Sequence, residues 1–348
     1  MKRVLSVILG ILCVVVVAGC ILHYLNDEGE GSTTSATKQI YAMDTVMSIT
    51  AYGKNAEEAV EAASAEILRL DALLSTGEET SEVSLLNAAG TYEVSEDTAA
   101  IIEEACGIYE VTGGLFDITI YPVMQLWGFP TEEYHVPSDD ELEEALALVD
   151  GSLVTVEDGV AAVGTGQQID LGGIAKGYTS NRIMEIFEEY GIKSGMVSLG
   201  GNVQTLGSKT DGSPWKIGIQ NPDTESSDSI LLILEIEDLA VITSGGYERY
   251  FEEDGETYIH IIDPRTGYPA DTGLESVSIV SENGMLADAL STSLFIMGLD
   301  EAVEFWREYG EDFEMVIVDD AYNVYITEGL EDTAVLNIDG YTLQVVER

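Results

Sequence analysis

The chain has 348 residues, 45% of them hydrophobic, with 64 Asp plus Glu against 14 Lys plus Arg and a formal net charge of −50 at pH 7. Such a surface repels polyanions at long range, which excludes nucleic acid as a natural partner. The apolar fraction and the scarcity of proline exclude disorder, so the acids coat a real core, as a solvated face or an adaptation to salt. An anionic ligand must therefore be held by backbone amides, by one or two chosen cations, or by a bound metal.

In chain order, Lys2 and Arg3 precede an apolar run over residues 4–18, which predicts a secretory signal peptide over residues 1–19. The run is short for a membrane span. It ends in Val17-Ala18-Gly19-Cys20, which is similar to a bacterial lipobox. Cys20 is then expected to carry lipid and to begin the mature chain, on the extracytoplasmic side of the cell membrane (periplasmic or cell-surface). The alternative is a signal anchor with an incidental cysteine. With Cys13 inside the apolar run, Cys106 is the only cysteine left for the folded part, so no internal disulfide is expected. Residues 20–37 are small, polar and aperiodic, the composition of a flexible tether. Residues 38–348 can form one large domain or two closely joined lobes.

Alternation and β-branched residues predict a strand over 38–52, and helical spacing of Val60, Ala63, Ile67, Leu70 and Leu74 predicts a helix over 55–74. A second helix is predicted over 97–111, stopping at Gly113-Gly114, and a very acidic third from Pro137-Ser138. Beyond Asp150 short strands dominate, predicted at 153–156, 159–163, 194–199, 215–219, 231–236, 240–243, 258–262, 276–280, 315–318 and 323–326. Helices interrupt them at 175–190, 284–297 and 300–309. The pattern is that of an α+β fold with antiparallel-rich mixed sheets and flanking helices, not a doubly wound parallel sheet. No repeat of fixed short period is present.

Three stretches carry chemistry. In Ile169-Asp170-Leu171-Gly172-Gly173-Ile174-Ala175-Lys176-Gly177-Tyr178 a carboxylate, a glycine pair and a lysine gather where a helix begins, an outline suited to phosphate or to a plain tight turn. In Ala287-Asp288-Ala289-Leu290-Ser291-Thr292-Ser293, Asp288 and Thr292 share one face of an apolar helix with Ser291 adjacent. An acid there needs compensation, either in a hard oxygen-only site of the kind magnesium accepts or as a helix N-cap. In Tyr258-Ile259-His260-Ile261-Ile262-Asp263-Pro264-Arg265-Thr266-Gly267, strand alternation sets His260 and Ile262 on one face. Of the three histidines only His260 is placed like an acid or base, with a structural role as the alternative.

Leu199-Gly200-Gly201-Asn202-Val203 and Ile242-Thr243-Ser244-Gly245-Gly246-Tyr247-Glu248-Arg249-Tyr250 are glycine-rich and polar, by function or by turn chemistry alone. Trp127-Gly128-Phe129, which follows Phe116-Asp117-Ile118-Thr119-Ile120-Tyr121-Pro122, could stack on a planar ring or simply pack the core.

Together with Met43-Asp44-Thr45 and Gly114-Leu115-Phe116-Asp117-Ile118-Thr119, these segments resemble, in order, the FAD:protein FMN transferase (ApbE) family over residues from about 40 to 330. The resemblance implies two intertwined α/β lobes and transfer of FMN from FAD, through a phosphoester bond, to a threonine hydroxyl of another protein, with release of AMP. It implies Mg2+ held at Asp288 and Thr292, with Ser291 beside them and the Gly173 carbonyl completing the set. FAD would be lined by Met43, Leu115, Phe116, Asp117, Asp170, Lys176 and Ile262. His260 matches the family's catalytic histidine, with Asp170 the alternative proton acceptor. The implied partners are exported or membrane acceptors carrying a flavinylation threonine, such as FMN-binding domains and redox-pump subunits. The pattern departs at Leu74-Ser75-Thr76-Gly77, where the family commonly has tyrosine in place of Gly77; Tyr247 and Trp127 are the candidate replacements.

The same residues would serve an Mg-dependent FAD pyrophosphatase with water in place of threonine. A non-catalytic flavin-binding or scavenging lipoprotein is the reading from another class. Asp211-Gly212-Ser213-Pro214 begins like an acceptor signal and then fails, so the acceptor is expected to be a separate protein.

Overall fold

The computed structural model describes residues 34–223 and 226–348. The signal peptide, the lipidation of Cys20 and the tether up to residue 33 lie outside the described residues. The chain enters the fold in a hairpin of β1 (Ser35–Ala42) and β2 (Thr45–Tyr52), so β1 takes in the last three residues of the expected tether. The single strand predicted over 38–52 is therefore two. Met43 and Asp44 turn the chain at φ 47° and 59°, the left-handed pair of a primed hairpin turn. Neither is the glycine or asparagine that usually signals such a turn, which is why the alternation reads straight through it.

Helix α1 (Ala56–Leu74) follows as predicted and buries Val60, Ala63, Ile67 and Leu70. The next two elements escaped the sequence reading, α2 (Glu82–Ala89) and β3 (Thr91–Glu93), as did the later short ones at Tyr121–Trp127, Tyr250–Glu253, Ala334–Leu336 and Thr342–Val346. Helix α3 (Glu96–Val111) starts at Ser95, whose hydroxyl accepts from the Thr98 N–H. A 3-10 turn at Ile118–Ile120 leads into α4 (Tyr121–Trp127), and α5 (Asp139–Leu146) opens with a capping box between Ser138 and Glu141. Strands β4 (Thr155–Glu157) and β5 (Val160–Ala162) join β3 in a small sheet, and α6 (Ala175–Glu189) comes next.

The rest of the chain supplies β6 (Ser194–Leu199), β7 (Asn202–Leu206), β8 (Trp215–Gln220), β9 (Ile230–Ile236), β10 (Ala240–Gly245), β11 (Tyr250–Glu253), β12 (Glu256–Ile259) and β13 (Leu274–Ser281). Helices α7 (Gly284–Met297) and α8 (Leu299–Tyr309) precede β14 (Glu314–Asp319), β15 (Asn323–Thr327), β16 (Ala334–Leu336) and β17 (Thr342–Val346). A nine-stranded sheet runs β1-β2-β6-β7-β10-β13-β14-β15-β17, antiparallel except for the β15–β17 pair. The fold is α+β and antiparallel-rich, as the sequence predicts.

Strand alternation divides the core into layers. Ile242, Val277, Ile279 and Ile317 face Leu290 and Leu294 of α7, while Met47, Ile49 and Val197 face α1 and α6. On the other side Val241, Val280, Val316 and Val318 pack against Trp215, Ile217 and Leu234 of the small sheet β16-β9-β8. Helices α6 and α7 cross where glycine meets glycine. A Cβ on Gly177 would lie 2.2 Å from the Gly284 carbonyl oxygen and 2.7 Å from the Asp288 Cβ, so only glycine permits this approach.

Candidate active site

The close crossing of α6 and α7 brings Asp288 to the first turn of α6. Ile174 offers that helix no side-chain cap, and Asp288 does so from the neighbouring helix: its Oδ2 accepts the Gly177 N–H at 2.8 Å. Its Oδ1 accepts from Asn202 Nδ2 at 2.9 Å. A carboxylate that is 5% exposed is thus stabilised by two donors and by the positive end of a helix. Asp288 does not cap its own helix, whose N-cap is Asn283, accepting from the Met285 and Leu286 N–H groups.

The glycine run holds a second pair of this kind. Asp170 Oδ1 accepts the Gly172 N–H at 2.8 Å. The amides of Gly172 and Gly177, on which a backbone phosphate cradle would draw, are therefore committed to carboxylates. Gly173 packs closely on the Phe116 ring, which a Cβ there would meet at 3.2 Å.

A cavity opens beside this crossing. Its wall includes Leu115, Phe116, Asp117, Asp170, Gly173, Lys176, His260, Ile262, Asp288 and Thr292, so ten of the residues expected from sequence come together from segments far apart in the chain. Its space of about 230 Å3 is less than the roughly 300–1,000 Å3 that encloses a drug-sized ligand.

His260 does not stand in a strand, because β12 ends at Ile259; its alternation with Ile262 is lost, and Ile261 reaches the cavity as well. Its backbone N–H donates to the Arg249 carbonyl at 3.0 Å, and its Nδ1 lies 3.1 Å from the same oxygen. A carbonyl can only accept, so Nδ1 carries the proton and Nε2 keeps its lone pair. Burial pushes the imidazole down to about 4, with the positive charges of Arg249 and Lys176 adding to it. It is neutral at physiological pH.

The acids shift the other way. Burial raises Asp170, against the Gly172 N–H and the charges of Arg249 and Lys176. Burial also raises Asp117, whose Oδ1 accepts from the Thr119 amide and hydroxyl at 2.8 and 2.6 Å and whose Oδ2 accepts from the Gly151 N–H. The Asp117 carboxylate thus ties together the 3-10 turn and the loop at Gly151, and it meets the cavity as part of that scaffold.

Glu248, which sequence reasoning did not single out, is reachable by solvent at the cavity mouth yet crowded by protein. That crowding is the main reason its acid is pushed up to about 7, with Asp288 adding and Lys176 and Arg249 opposing. Thr243, Ser244 and Arg249 also join the wall. Their segment stood out in the sequence as polar and glycine-rich and as one of those that carry the family resemblance.

Three expected residues stand elsewhere. Ser291 is fully buried and is not itself part of the cavity wall; its hydroxyl donates to the Asp288 carbonyl and meets the Oγ of Ser244, a wall residue, both at 2.8 Å. Met43 sits in the β1–β2 turn, where its N–H donates to Asp71 Oδ1, and its side chain packs on the core. Trp127 is buried in an aromatic cluster with Phe251, Tyr258 and Tyr268, its Nε1 donating to the Gly267 carbonyl at 2.7 Å. Trp127 is core, and neither it nor Tyr247, whose ring lies on Gly245, is part of the cavity wall.

The oxygens on this wall are the second lone pairs of Asp288, the Thr292 hydroxyl, which also meets Ser244 Oγ at 3.2 Å, and the Gly173 carbonyl. An all-oxygen set with one carboxylate suits a hard divalent cation.

An antiparallel α+β scaffold that sets a neutral imidazole, two cations and an oxygen-lined wall around one cavity defines an enzyme acting on an anionic ligand. The chain belongs to the ApbE family, which matches residues 43–317. The FAD:protein FMN transferase of Haemophilus influenzae is 31% identical over 315 residues, 87% of this chain and 90% of that protein. The FAD:protein FMN transferase of Treponema pallidum is 34% identical over 76% of this chain and 79% of its own length. Among solved structures, the ApbE protein of Thermotoga maritima superposes with a TM-score of 0.81 at 35% identity, covering 86% of this chain and 99% of the other.

Proposed function

We propose that this chain transfers FMN from FAD to a threonine hydroxyl of an acceptor protein and releases AMP, with Mg2+ as its metal. The observation that carries the reading is the cavity itself, which gathers His260, Lys176 and the Asp288–Thr292 wall in a relative of FAD:protein FMN transferases.

The threonine oxygen forms a bond to the phosphorus nearest riboflavin, and the bond from that phosphorus to the bridging oxygen breaks, so that oxygen leaves with AMP. The hydroxyl proton passes to Nε2 of His260, which the Arg249 carbonyl orients and which is unprotonated at neutral pH. Asp170 is the weaker choice of base, because one of its oxygens already serves Gly172. We assign it the shaping of the glycine turn. Leu115, Phe116 and Ile262 give the apolar surface for the flavin end, and Lys176 draws in the phosphates. Mg2+ held by Asp288, Thr292 and the Gly173 carbonyl would supply charge neutralisation on the pyrophosphate.

We also propose that lipid on Cys20 anchors the enzyme to the extracytoplasmic face of the cell membrane, where exported or membrane-bound flavinylated proteins are its acceptors. Chelation tests the metal. Transfer by the wild type should vanish with a chelator and return with Mg2+, while Asp288→Ala stays at least about a hundredfold slower at saturating Mg2+. Full activity of the chelated enzyme would remove Mg2+ from the account.

A further inference from the structure

Among the described residues, Arg69, Arg182, Arg265, Arg307 and Arg348 are all engaged in ion pairs, as a chain with 64 acids makes easy. Arg249 is the exception. It follows Glu248 at the cavity wall, where Asp170, Glu248 and His260 feel its charge, yet its guanidinium pairs with none of them. An arginine left unpaired in so acidic a protein has its donors free for something that arrives.

What arrives must be anionic. The amides of Gly172 and Gly177 are taken by Asp170 and Asp288, which leaves the glycine turn fewer donors for a phosphate than its sequence suggests. Side-chain cations then matter beside any bound metal, and Lys176 alone presents a single compact charge. The backbone of Arg249 is fixed, because its carbonyl accepts both the His260 N–H and Nδ1. The side chain therefore starts from the residue that holds the proposed base.

We infer that the Arg249 guanidinium is a binding group for the pyrophosphate of FAD, gripping its phosphate oxygens in the planar, two-pronged manner of arginine while the same residue's carbonyl holds His260. The inference rests on FAD as the ligand and does not depend on whether transfer or hydrolysis follows. Geometry ties the two roles: an oxygen bound by the side chain lies within one residue's reach of the imidazole that receives the proton.

The test uses the full chain and two variants, Arg249→Gln and Arg249→Lys, with binding of FAD and of riboflavin read by flavin fluorescence. Arg249 is exposed and bonds to His260 only through its backbone, so the variants should keep the wild-type melting temperature. We expect Arg249→Gln to weaken FAD binding by about tenfold to a hundredfold, the loss of charge-assisted hydrogen bonds. Riboflavin, which has no phosphate, should bind both variants as it binds the wild type, weakly or not at all included. Arg249→Lys should recover part of the FAD affinity, since it restores charge but not the fork. Inorganic pyrophosphate should compete with FAD on the wild type and at least tenfold less well on Arg249→Gln. Unchanged FAD binding in Arg249→Gln, or equal losses for FAD and riboflavin, would overturn the inference. Because binding is read without acceptor or turnover, failure of the transfer reading would leave this result standing, and the reverse.

Discussion

His260 shows how a residue's role can depend on a neighbour's backbone. Its sequence context predicts a strand histidine, but the strand stops one residue earlier, and the Arg249 carbonyl sets the tautomer instead. With the imidazole pushed down to about 4, the proton-accepting form predominates at every pH above that value. Transfer should therefore hold level from pH 7.5 to 5 and fall only as pH approaches 4, while His260→Ala loses about a hundredfold or more in kcat with FAD affinity retained. A pH–rate profile of kcat/KM decides this, and a half-loss near pH 6.5, the ordinary histidine range, would refute it. At this scale the sequence was generous with identities and poor in geometry. Asp288, Thr292, Lys176 and His260 were all legible as types in the right company. The hydrogen bonds of Ser291 to the Asp288 carbonyl and to Ser244 were not, because spacing along a helix names neighbours and not partners from another element.

At the scale of elements, the site exists because α6 and α7 approach closely enough for one helix to cap the other. Gly177 is the position that allows it. Gly177→Ala should cost about 2–3 kcal/mol even though alanine favours helix, since the added Cβ meets backbone and cannot be relieved by a side-chain turn. Urea denaturation would show a lowered midpoint, and the transfer rate should fall with it as Asp288 is pushed from the Gly177 amide. An unchanged midpoint would mean the helices part without penalty. Helix α7 was readable to its exact ends and α1 within a residue, because apolar spacing and caps mark them. The β1–β2 turn, α2 and the edge strand β17 were not. Their signals are a pair of non-glycine residues at positive φ, an eight-residue helix and a mostly exposed five-residue strand, each below what periodicity resolves.

For the whole molecule, a net charge of −50 makes every cation at the site count, and the fold meets that demand by leaving Lys176 and Arg249 at the cavity while its other arginines are paired. The proposed placement on a membrane rests on Cys20: Cys20→Ser should shift the protein from the membrane fraction to the soluble fraction with its transfer activity intact, as fractionation and immunoblotting would show. The central claim concerns the fate of FMN. Intact-mass analysis of a threonine-bearing acceptor, incubated with the enzyme, FAD and Mg2+, follows it directly. The account predicts an acceptor carrying FMN on threonine and AMP released in equal amount; free FMN and AMP with an unmodified acceptor would contradict it.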